Sequence, residues 1–92
     1  ILVAFKEVED ALVAVRTAQD QRKAQQEQVD ALRSALQVAD LRHQAGITSH
    51  VEVLIAKRSL FAAEAALTGA HRLHLVSVVQ LYKALGGGWS PG

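Results

Sequence analysis

The side chains with the clearest chemical potential are the four histidines, His43, His50, His71 and His74. His71 and His74 stand three residues apart, a spacing that puts two imidazoles on one helix face. Two imidazoles can hold a divalent ion, but a closed site needs more ligands. No Asp or Glu stands at a matching third position beside this pair. These histidines therefore read as helix-face or seam residues, and no metal site is expected. Nucleophilic chemistry has no better footing. Ser34, Ser49, Ser59, Ser77 and Ser90 lack the sharp glycine-flanked turn that exposes a catalytic serine. Glu7, Glu9 and Asp10 cluster early, where they read as helix-dipole and solvation features rather than an acid/base pair. Gly86-Gly87-Gly88 follows a helical pattern instead of opening one, so it is no phosphate cradle. No enzyme and no cofactor is expected.

Composition narrows the rest. The 92 residues are half apolar, yet only 4% are aromatic and sixteen are alanine. Small side chains let helices approach closely and cannot fill a sandwich, a barrel or a βαβ core. There is no cysteine, hence no disulfide framework and no thiolate site. Ten basic and nine acidic residues are interspersed for a net charge of +1, which gives no electrostatic reason to expect nucleic acid. No run of about 18 apolar residues is present to cross a bilayer as a helix. Beginning at Ile1, the chain is expected to be a piece of something longer.

The elements that position these residues are two helices. The apolar period is 3.5, the repeat of helices that wind together. Its a positions are Ile1, Val8, Val15, Arg22, Val29, Leu36 and His43, and its d positions Ala4, Ala11, Ala18, Gln25, Leu32 and Ala39. A second register runs through Val53, Leu60, Leu67, His74 and Leu81 at a, with Ala56, Ala63, Ala70, Ser77 and Ala84 at d. Between them Gly46 suits the left-handed residue that ends a helix, with Ile47 next and able to touch Leu41. Ser49 and Glu52 have the spacing of a capping box. The expectation is an all-α chain: one long antiparallel helical hairpin, coiled-coil-like, over 1–92. It has a helix at about 2–44, a turn at 45–49, a helix at about 50–85 and a tail at 86–92.

Folding about residues 47 and 48 sets Arg22 opposite His74 and Ala18 opposite Ser77, so the polar layers of the two helices coincide. The same fold brings His43 against Glu52 and Val53. Apolar residues outnumber what two helices need. Leu54, Phe61, Leu75 and Tyr82 form a second stripe, and Leu12, Val13 and Val38 add to the first helix. A stripe that wide implies further helices, and the isolated hairpin should self-associate.

Three segments carry a resemblance. They are Ala39 to Leu60 (ADLRHQAGITSHVEVLIAKRSL), Ala4 to Leu12 upstream and Leu81 to Trp89 downstream. Together they resemble the C-terminal part of an outer membrane efflux protein, similar to the TolC-like outer membrane factors and nearest the OprM/NodT lipoprotein branch. The resemblance implies a trimer with a β-barrel in the outer membrane and an α-helical barrel in the periplasm. This chain would be a helix pair of that periplasmic barrel. It implies partners, a periplasmic adaptor protein and an inner membrane pump, and export of small molecules by the tripartite assembly. Under it, Gly46, Ile47, Thr48 and Ser49 match the tip that meets the adaptor. Glu52 matches an acidic position near the tunnel mouth, and His43 stands where the family often has a gate Tyr. Ile55 stands where Asp is frequent, which would thin an acidic ring. The competing readings are a generic coiled-coil dimerisation hairpin and, further off, a metal-responsive helical module.

Overall fold

The structure, a computed structural model, describes residues 2–87, with side-chain surroundings for residues 5–86. The chain is an all-α helical hairpin: α1 is Leu2–Gln44 and α2 is His50–Gly87. Neither Gly nor Pro interrupts α1, and α2 contains only Gly69 before its final residues. Arg42 and His43 in the last turn of α1 place basic groups at the negative end of its dipole. Glu52 in the first turn of α2 does the reverse at the positive end. α2 continues two residues past Leu85, through Gly86 and Gly87, where the glycines alone suggested a stop. The rest of the expected tail, 88–92, lies outside the described residues, as does Ile1.

The heptads account for burial. Within α1 the residues withdrawn from solvent are Val8, Ala11, Val15, Ala18, Gln25, Val29, Leu32, Leu36, Ala39 and His43. Every one is an a or d position, and Arg22 is the one described a residue left exposed. In α2 all ten a and d residues are buried or half-buried, from Val53 to Ala84. Val78, just after Ser77, is the single addition.

Two compact units result. The unit formed by Lys23–Thr68 holds the turn and the two most buried of the large side chains. Val29 and Val53 are each 1% exposed there, and Ala63 is buried. Gln25 Oε1 is enclosed in it without a hydrogen-bond partner. Arg33 lies 3.7 Å from both Asp30 on its own helix and Glu64 on the other. All three side chains are about half-exposed, so this cluster is worth under about 1 kcal/mol and is screened by salt. The other unit comprises Ile1–Arg22 and Gly69–Gly92. Its core contains Ala18 and Ser77, both buried. The Ser77 hydroxyl donates to its own helix at the His74 carbonyl, 2.7 Å away, which satisfies a polar atom inside an apolar seam.

Candidate functional site

The turn is the most defined non-helical feature. Gly46 has φ +76°, the left-handed region that costs an L residue with a side chain about 1–2 kcal/mol. From there two backbone bonds close the helix end. Ile47 N–H donates to the Arg42 carbonyl at 2.9 Å and Gly46 N–H to the His43 carbonyl at 3.0 Å. This crossed pair is a Schellman motif, which spends the last orphan carbonyls of α1 on the turn itself. Its usual hydrophobic clasp is weak here, since Leu41 and Ile47 remain 65% and 67% exposed.

α2 starts differently from the capping box read in the sequence. The Glu52 N–H donates to the Ser49 backbone carbonyl at 3.2 Å, not to the Ser49 hydroxyl. Ser49 is exposed, and among the described residues the Glu52 carboxylate joins no ion pair. The sequence reading also missed what holds the link down. His43 Nδ1–H donates to the Thr48 carbonyl at 3.2 Å, which fixes both its tautomer and its ring orientation. The His43 ring lies against His50, with ring centres 5.2 Å apart and planes inclined at 45°. A histidine one residue before the end of α1, followed by a glycine reversal, was the available signal. The turn thus brings Gly46, Ile47, Thr48 and Ser49 onto one short link, ties His43 to it and leaves Ile47 projecting. Leu54 and Ile55, the two residues after buried Val53, stay 51% and 60% exposed.

The polar layer forms as read. Arg22 Nη1 donates to His74 Nδ1 at 3.3 Å, because a guanidinium has only donors. That bond puts the His74 proton on Nε2, which is buried without a partner. Arg22 thus engages one nitrogen of His74 and leaves the other unpartnered inside the seam. Beside this layer Ala14, Thr17, Ala18, Gln21, Leu73, Val76, Ser77 and Gln80 line an open groove. Among the described residues no three metal-type side chains converge, and no helix is long and apolar enough to cross a membrane.

The second apolar stripe is uncovered. Phe61 is 76% exposed and Tyr82 71%, with Leu12, Val13, Val38, Leu54, Leu75 and Val79 all more than half exposed. Single exposed apolar residues are ordinary, but stripes repeated on both helices mark surfaces built to be covered.

The sequence has relatives among known proteins. The family model for outer membrane efflux proteins matches residues 1–87. The probable efflux pump outer membrane protein TtgC of Pseudomonas putida is 45% identical over 89 residues, 97% of this chain and 18% of that protein. The cation efflux system protein CusC of Escherichia coli is 45% identical over 86 residues, 94% of this chain and 19% of that protein. The outer membrane protein OprJ of Pseudomonas aeruginosa is 37% identical over 92 residues, 100% of this chain and 19% of that protein. The chain thus spans about a fifth of the length of these relatives. No solved structure matches it. With the family model covering α1, the turn and α2 alike, the chain belongs to the outer membrane efflux protein family.

Proposed function

We propose that this chain is a helical segment of an outer membrane efflux channel. It serves as periplasmic tunnel wall, with its turn as the tip that docks a periplasmic adaptor. The channel works as a homotrimer within a tripartite pump whose inner membrane member supplies the energy. The observation that carries this reading is the division of apolar surface. The a and d residues are consumed by the hairpin itself, while Phe61, Tyr82, Leu54 and Leu75 are left over for neighbouring helices. A self-sufficient hairpin needs no second stripe. The family membership supplies the context in which such walls are built.

The tip assignment rests on shape. Ile47 stands out from a backbone locked by the Schellman bonds and by the His43 latch, so it is a rigid apolar knob. Preorganised knobs lose little entropy on docking. His43 and Glu52 sit at the mouth in this reading. His43 ties the end of α1 to the link, and Glu52 contributes an exposed negative charge. Ile55, also exposed, adds none. A photo-crosslinker at Ile47 in a working pump should capture the adaptor, and a clean negative there would overturn the docking role. Cell fractionation should recover the protein with the outer membrane, and recovery in the cytosol would overturn the channel reading altogether.

A further inference from the structure

His50 lies outside the heptad seam, yet its ring stands against that of the seam residue His43. His43 is half-buried at the end of α1, and His50 is exposed at the start of α2. Because His43 gives its Nδ1–H to the Thr48 carbonyl, its Nε2 carries the lone pair. Ligating imidazoles are held in this way, one nitrogen donating to a backbone carbonyl and the other presented to the ion. The ring spacing fits a shared ion as well as it fits ordinary ring packing, whose range is about 4.5–7 Å. With metal–nitrogen bonds of about 2.0–2.1 Å, a ring centre lies about 3.2 Å from the ion, so two rings at a tetrahedral angle stand about 5.2 Å apart. Two rings in line through one ion would stand about 6.4 Å apart at the same bond length. The observed separation is 5.2 Å.

We propose that His43 and His50 form a two-imidazole half-site for a divalent transition-metal ion such as Zn2+, clasped across the turn. No third metal-type side chain joins them among the described residues, so water completes the coordination. Both ligands lie within the unit that contains the turn, and the pairing needs no other part of the chain. The negative end of the α1 dipole at His43 and the positive end of the α2 dipole at His50 oppose one another, so the two imidazoles carry the affinity. This site stands independently of the docking role, since it requires only the turn geometry.

The test uses the intact protein in detergent, Zn2+ calorimetry and Cu2+ electron paramagnetic resonance, copper being the tighter probe of a nitrogen site. The comparison is wild type against His50→Gln, a change at an exposed position, with folding checked by circular dichroism. Zn2+ affinity at this site should fall roughly tenfold or more in His50→Gln, and the copper spectrum should go from two coupled nitrogens to one. His71→Ala should leave both readings unchanged. Equal Zn2+ affinity and an unchanged nitrogen count in His50→Gln would overturn the proposal. So would loss of the signal in His71→Ala.

Discussion

The same substitution, glycine to alanine, should act in opposite directions at two places in this chain. At Gly46, φ is +76° and an added Cβ would meet nothing within 4 Å. Any penalty is therefore conformational strain with no clash in it, about 1–2 kcal/mol for a left-handed alanine. At Gly69, inside α2, an added Cβ also meets nothing within 4 Å, but the backbone is helical. There alanine should stabilise by about 0.5–1 kcal/mol, because glycine loses more backbone freedom on folding. The difference between the two variants is thus about 1.5–3 kcal/mol, from two single methyl groups that touch nothing. Gly46→Asn gives an internal control, since asparagine tolerates the left-handed region and should lose less than Gly46→Ala. The assay is urea denaturation followed by circular dichroism. One protein concentration must be used throughout, because self-association through the uncovered stripes would make stability concentration-dependent. A Gly46→Ala variant as stable as wild type, or an asparagine variant as unstable as the alanine one, would refute the strain argument.

Two further changes probe the seam. Val29→Ala and Val53→Ala each remove a side chain that is 1% exposed and should cost about 1.5–3 kcal/mol, whereas Val38→Ala, at 54% exposed, should stay within about 0.5 kcal/mol in the same denaturation assay. Arg22→Ala should cost about 1 kcal/mol by taking away the donor to half-buried His74 Nδ1. The double variant Arg22→Leu/His74→Leu should be at least as stable as wild type, since it removes both partners and the orphaned Nε2 together. A double variant weaker than Arg22→Ala would show that the polar layer contributes stability in its own right.

The helical pairing was legible because burial here follows a period. With a 3.5 repeat and alanine at most d positions, Val8 to His43 and Val53 to Ala84 could be sorted into seam and surface by counting, and the sorting held except at Arg22 and Val78. Arg22 is long enough to keep its charge outside while its guanidinium reaches His74. The turn was legible in part. Only glycine takes φ +76° without strain, so Gly46 announced the Schellman bonds. The capping box did not form, because hydroxyl and carbonyl of Ser49 compete for one N–H and spacing does not decide between them. The His43 latch escaped notice for a related reason. An imidazole can face the other helix or curl back onto its own link, and only the path of the link shows that the Thr48 carbonyl is in reach. The mouth and tip roles came from resemblance and from no periodicity, which is why they are proposals for crosslinking to decide.

The alanines enclosed at Ala18 and Ala63 make mutational drift at these sites one-way. A methyl group has no rotamer to yield, so a bulkier newcomer can be admitted only by prying two backbones apart. Ser77 shows which novelties pass: one extra atom, bent back at 2.7 Å onto its own carbonyl, asking nothing of the opposite helix. At Ala18, Ala63 and Ser77 the seam therefore admits only the smallest side chains, whatever bulk the layers above and below them hold.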